Sequence, residues 1–297
     1  MKVRLAGMLR TRVQLQKLTW RLIVCLSLVI FLSGCVLRRI AFSNAERVIR
    51  YQVGSTVDLT RSQALFLEKE VPAFLRGLRD AEVRIAQALI SELGVRSQSP
   101  ISRSDIDEFF VRWDALAFAV VQRASVPVGE FQATLSRAQL VQWKKAQNKR
   151  AGRRLERLER GEASYKGARI ELLSDQFSKW IGPLNETQLA ALKSHIDVEY
   201  AALGAETRAM QRSQTTVHRA IEASLGAKVL QGIFIQQSTF PFSGLDPEHA
   251  KFRLDRRESW KTLLTVVASS LSNEQLSKFK SEIDALSRDL SHIGKSL

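Results

Sequence analysis

The chain has 297 residues, 45% of them hydrophobic and 25% charged, with 45 Lys+Arg against 30 Asp+Glu and a net charge of +15. That length holds one large domain or two small ones, and the basic balance points to acidic company such as phosphate-rich headgroups, acidic glycans or nucleic acid. Two cysteines, one of them inside an apolar run, exclude a disulfide framework.

The first segment carries Lys2, Arg4, Arg10, Arg12, Lys17 and Arg21, with no acid before Glu46. An apolar run from Leu22 to Leu32 follows and ends in Leu32-Ser33-Gly34-Cys35. A charged start, a short apolar core and a small-residue exit are the parts of an export signal. The terminal cysteine makes Leu32, Ser33 and Gly34 look like a lipobox, with Cys35 as the lipid-bearing first residue after cleavage. A transmembrane anchor is the alternative: the uncharged stretch Leu22 to Leu37 would span about 24 Å, against a hydrocarbon core of roughly 30 Å. Lipidation requires Gly34-Cys35 whereas an anchor gives them no role, so we expect residues 1–34 to be a lipoprotein signal peptide. Six bases and no acids lie in that signal, so the remainder stays at about +9, from 45 less six bases against 30 acids. With Cys35 in a thioether and Cys25 discarded, no thiol remains for a disulfide, a metal or nucleophilic catalysis. Residues 35–57 are expected to form a lipidated tether with one short helix, holding Arg38, Arg39, Arg47 and Arg50 near headgroups.

From residue 58 onward one local grammar recurs. Leu59-Thr60-Arg61-Ser62-Gln63, Leu135-Ser136-Arg137-Ala138-Gln139, Leu184-Asn185-Glu186-Thr187-Gln188 and Leu271-Ser272-Asn273-Glu274-Gln275 each place a short capping residue three positions before a glutamine. The cap accepts from free amides of the first turn and the glutamine reaches back. Ser102 to Asp105 is a looser copy, and Asp246-Pro247 adds a proline at the favoured first helical position. The intervals are irregular, which argues against a solenoid. Between the caps, Ile106, Phe109, Phe110, Trp113, Leu116, Ala117, Val120 and Val121 share a helix face, and Leu276, Phe279, Ile283, Leu286, Leu290 and Ile293 form a seam. The pattern predicts an all-α fold over 58–297, an irregular multi-helix bundle of six or more capped helices. Pro100, Pro127, Pro183, Pro241 and Pro247 are expected at joints, with a kink or break at Pro72. Gln237 to Gly244 is the longest irregular piece, with Phe240 and Phe242 expected to cover one end of the core, the alternative being an exposed apolar contact loop.

Catalytic signatures are missing. His195, His218, His249 and His292 are scattered, and no metal-binding string, nucleophile elbow or phosphate-cradling glycine loop occurs. His218 and Glu222 share a face as an ordinary surface pair. No catalytic residue, metal or cofactor is indicated. The densest charge lies between Lys144 and Arg160, where Lys149, Arg153, Arg157 and Arg160 form a stripe flanked by Arg150 and Arg154. Such a stripe suits an anionic surface, each base near charged headgroups contributing about 1 kcal/mol, or else is a solvated face paired to neighbouring acids. Aromatic interleaving is too weak for nucleic acid.

Several strings in this order resemble an uncharacterised family of proteobacterial lipoproteins with a domain of unknown function. They are the lipobox at Cys35, Tyr51 before Val57-Asp58-Leu59, Glu70-Val71-Pro72-Ala73-Phe74, and Trp113-Asp114. Arg153 to Arg160, Trp180-Ile181-Gly182-Pro183-Leu184 and Gln188 complete the set. The resemblance implies an exported, lipid-anchored helical protein and no reaction. Together these readings give a membrane-anchored envelope component on the periplasmic side, at the outer membrane because Val36 and not aspartate follows the cysteine. Its expected role is non-catalytic binding of an envelope protein, an anionic lipid or a glycan. The alternatives are a periplasmic enzyme or chaperone with a groove between helices, or a basic module working through the stripe.

Overall fold

The computed structural model describes residues 44–97 and 101–295, and its regular structure there is entirely α-helical. The signal segment and the lipobox residues Leu32, Ser33, Gly34 and Cys35 lie outside the described residues. Ten helices follow in order among the described residues: α1 Ala45–Gly54, α2 Arg61–Asp80, α3 Glu82–Arg96, α4 Arg103–Ala133 and α5 Arg137–Glu159 make the first half. The second half is α6 Glu162–Ile181, α7 Glu186–Glu222, α8 Ala227–Ser238, α9 Pro247–Ser269 and α10 Asn273–Lys295. The expected all-α multi-helix bundle is what the chain forms.

The starts are where the capping grammar puts them. Thr60, Ser102, Ser136 and Asn185 each accept from the amide three residues on, and the residue there accepts from the cap's own amide. Ser272 and Gln275 exchange the same pair of bonds, each at 3.1 Å. Asp246 accepts from the amides of Glu248 and His249, with Pro247 opening α9. Within the expected tether 35–57, α1 is a packed element: Ala45, Ile49 and Val53 join Leu67, Val71, Leu75 and Leu78 of α2 in one core cluster.

The four glutamines then do something that local sequence does not reveal. Gln63 and Gln139 donate to each other's side-chain oxygens, at 3.1 and 2.6 Å, and Gln139 also donates to the Asp58 carbonyl at 2.6 Å. Gln188 and Gln275 do the same at 3.0 Å in both directions, and Gln275 donates to the Pro183 carbonyl at 2.7 Å. All four are buried. Each clasp joins the first turns of two helices, α2 with α5 and α7 with α10, and satisfies buried amides that would otherwise be stranded. The two halves are built alike: an opening helix, a clasped helix, two more helices, and a clasped closing helix of 23 residues.

The halves interlock by exchanging their last helices. α10 lies on α3 of the first half, with Ile283, Leu286, Leu290 and Ile293 packed on Val83 and Ile90. α5 lies on α7 of the second half, where Leu140 and Trp143 pack near Ala220 and Ile221. Between them α4 meets α8 so closely at Gly129 that an added Cβ would come 2.7 Å from the Ala227 carbonyl oxygen.

Two expectations change. Pro127 is not a joint: α4 runs through it to Ala133, and α2 runs through Pro72 without the break that is one of the two outcomes expected there. Tertiary packing overrides the local penalty, because Ala124 and Gly129 on either side of Pro127 are both buried. In the Thr239 to Leu245 connection only one ring is inside: Phe242 is 8% exposed, whereas Phe240 is 47% exposed and lies over the Arg257 guanidinium.

Candidate functional site

The paired glutamines give a common origin for comparing α5 with α10. The residues 8, 11, 15 and 18 positions beyond Gln275 are Ile283, Leu286, Leu290 and Ile293, the core-facing seam. The same steps beyond Gln139 reach Gln147, Arg150, Arg154 and Arg157. The earlier steps agree in character, Leu276 and Phe279 against Leu140 and Trp143. Two equivalent helices thus begin apolar, and one then turns cationic on the face it presents to the body.

That face meets a charged seam formed with α6, α7 and α9. Arg154 Nη2 lies 3.5 Å from Glu206 Oε2 and its Nη1 lies 3.3 Å from Met210 Sδ. Arg256 of α9 donates to the same Glu206 oxygen. Two helical turns away along α7, Glu199 accepts two bonds from Arg169 of α6, at 2.7 and 3.0 Å. Arg253 completes the set on α9, in the field of Arg256 and Glu206. Four guanidiniums, those of Arg154, Arg169, Arg253 and Arg256, thus lie in the field of Glu199 or Glu206, and a fifth, that of Arg157, lies in the field of Arg154, Arg169 and Tyr165. Glu206 is only 3% exposed.

The electrostatics follow from that imbalance. Burial pulls Arg157 below the usual arginine range; Tyr165 opposes the shift, and Arg154, Arg169 and Arg160 add to it. Arg253 is brought down to about 10 by burial and then by Arg256, with Glu206 opposing. Burial raises the Tyr165 hydroxyl, and Glu199 raises it further, against Arg169, Arg256 and Arg154. Burial would raise Glu199 as well, but Arg169 and then Arg256 outweigh it and hold this carboxylate below its usual range. Arg256 Nε is buried with no hydrogen-bond partner among the described residues.

Neutral histidines flank the seam. His195 Nδ1 lies 2.8 Å from Ser259 Oγ with its ring 4.3 Å from that of Trp260, and burial brings its pKa to about 4. His249 Nδ1 lies 3.0 Å from Ser213 Oγ and is likewise brought to about 4 by burial, then by Arg253. His218 is not the surface partner of Glu222: it is buried edge-on against Trp143, while Glu222 pairs with Lys144. No group of three His, Cys, Asp or Glu able to hold a metal ion occurs among the described residues.

The basic stripe is split by this arrangement. Lys149 and Arg160 are exposed and Arg153 is half-buried. Arg150 turns toward the end of α1, 3.5 Å from Thr56 Oγ1, and burial lowers its pKa. Arg154 and Arg157 enter the seam. Sequence reasoning missed Tyr165, Arg169, Glu199, Glu206, Arg253 and Arg256, which come from three other helices. Two local signals were present: Glu206 stands among the apolar and uncharged residues of α7's inner face, and Arg253 and Arg256 stand one turn apart on α9.

Elsewhere, a concavity of about 240 Å³ lies between α3 and α10, lined by Ser91, Gly94, Lys280, Ile283, Asp284 and Ser287. The space between α3 and α4, ringed by the ion pairs of Glu92, Arg96, Asp105 and Arg112, has a volume of about 30 Å³, room for one water. No helix among the described residues is long and apolar enough to cross a membrane. Compared with protein-family models, characterised proteins and solved structures, the chain matches none.

Proposed function

We propose that this chain is a lipid-anchored envelope component, acylated at Cys35 and held on the periplasmic side of the outer membrane, that binds an anionic partner without catalysing a reaction. Its likeness to the uncharacterised lipoprotein family is part of the same reading. The observation that carries the binding role is the exchange of α10's leucines and isoleucines for arginines at the matching positions of α5. A buried charged interface adds little stability over an apolar one of similar volume. Five cations and two acids in one seam have their natural counterpart in a ligand's negative charge. The space between α3 and α4 does not favour a groove enzyme, since it is water-sized and its ionisable groups are already paired with one another.

Two experiments test the two parts. Labelled palmitate should enter the wild type and not Cys35→Ala; equal labelling would remove the anchor. Charge reversal at Arg153, Arg154 and Arg157 should weaken pull-down by anionic membranes or acidic glycan, and unchanged pull-down would remove the basic face as the contact.

A further inference from the structure

We propose that the seam between α5, α6 and α9 is a binding site for a single phosphoryl group, presented by a lipid headgroup or as free phosphate. This rests on the anionic-partner reading above and names its chemistry. The first support is placement. Arg154 and Arg157 come from α5, Arg169 from α6 and Arg256 from α9, and all four guanidiniums lie in the field of Tyr165. A planar carboxylate can be held in one plane by a single arginine fork, as Glu199 is by Arg169. A tetrahedral group with three outer oxygens suits forks arriving from several helices.

The second support is charge. The seam holds three more cations than acids, and a phosphate monoester carries roughly −1.5 to −2 near neutrality, where a carboxylate carries −1. The third is the buried Arg256 Nε, a donor with no partner among the described residues on a side chain whose other end already holds Glu206. A buried donor left unmet is unfavourable, and a ligand oxygen would relieve it. Tyr165, half-buried and in the field of Arg154, Arg169 and Arg256, offers a neutral hydroxyl beside them.

The test uses the full-length protein in neutral maltoside micelles, titrated calorimetrically. The probes are inorganic phosphate, dihexanoyl phosphatidic acid below its micelle concentration, and polygalacturonate. Saturable one-to-one binding of either phosphate probe, weakened at least tenfold in Arg157→Gln and within twofold of wild type in Lys145→Gln/Lys149→Gln, supports the site. Which phosphate probe binds more tightly tells lipid headgroup from free phosphate. Tyr165→Phe, which leaves the charges in place, should weaken binding several-fold and keeps the test open if Arg157→Gln fails to fold. Binding of polygalacturonate alone overturns the phosphoryl assignment. Phosphate binding unchanged in both Arg157→Gln and Tyr165→Phe overturns the seam but leaves an anionic partner on the exposed bases. Failure of every probe overturns both readings.

Discussion

Helices α5 and α10 begin with the same serine cap and the same glutamine, run for the same 23 residues, and lie on a helix of the opposite half. About two turns later they have become different objects. α10 buries Ile283, Leu286, Leu290 and Ile293, worth about 1.5–3 kcal/mol each when fully removed from water. α5 has Gln147, Arg150, Arg154 and Arg157 at the matching positions, and the desolvation of Arg154 roughly cancels its attraction to Glu206. One of the equivalent interfaces is apolar along its length, and the other is apolar at its start and charged beyond it. A duplicated architecture thereby supplies its own control, since the equivalent place in the other half holds an apolar seam.

The largest expected effect is an acid opening confined to the α7 side. His195, His218 and His249 all have folded pKa values near 4, below the roughly 6.5 of an unfolded histidine. The unfolded chain therefore binds more protons between those values. The contribution of the three neutral rings to stability is complete above about pH 6.5 and is lost as the pH falls toward 4. Allowing for partial solvent screening, the loss is roughly 2 kcal/mol for each ring. α10 carries only His292, which is exposed. Hydrogen exchange at pH 4.5 should show α7 and α9 opening while α3 and α10 stay protected. Uniform opening would mean that the two interfaces are not energetically separate.

Next in size is a transplant of α5's chemistry into α10. Leu290→Arg puts at that position what Arg154 is in α5, but among Val83, Ile90 and Leu286. An unpaired buried charge should cost about 3–5 kcal/mol, read as a lower midpoint in urea with little change in slope. Tolerance of the arginine would show that α10's seam is wetter than its 2% exposure at Leu290 suggests.

The comparison also shows where sequence reading works. The caps were legible because a capping box is complete within four residues, as at Thr60 to Gln63. The α10 seam was legible because its apolar steps stand out against polar neighbours. The reciprocal glutamine clasps were not, since Gln63 and Gln139 meet only once the chain has folded back. Nor was the charged seam, because an arginine beside a buried glutamate on another helix looks locally like an arginine on a surface. Spacing along α5 does not separate the two kinds of base. Lys149 faces solvent, Arg150 one residue on turns toward Thr56, and Arg154 faces Glu206.

A smaller effect tests whether the two halves really are equivalent at their clasps. Gln139→Ala and Gln275→Ala each remove a buried reciprocal pair and leave a carbonyl, that of Asp58 or Pro183, without its donor. Each substitution should cost about 1–3 kcal/mol. The two costs should agree within about 1 kcal/mol by urea denaturation, because the difference between α5 and α10 begins beyond the clasp. A much larger loss at Gln275 would place the asymmetry at the helix starts instead.

The smallest effect has the opposite sign and separates binding from architecture most cleanly. Arg157→Leu gives α5 the kind of side chain that α10 has in Ile293. It removes a half-buried cation that burial and the neighbouring Arg154 and Arg169 already disfavour. In phosphate-free buffer the variant should be more stable by about 1 kcal/mol, a rise of roughly 2–4 °C in Tm for a chain of this size. In saturating phosphate the order should reverse, since a ligand that binds only the folded wild type adds stability in proportion to the logarithm of its concentration over Kd. A lower Tm for the variant in both buffers would make Arg157 part of the structural lattice, and the charged seam would then be holding the bundle together just as α10's leucines do.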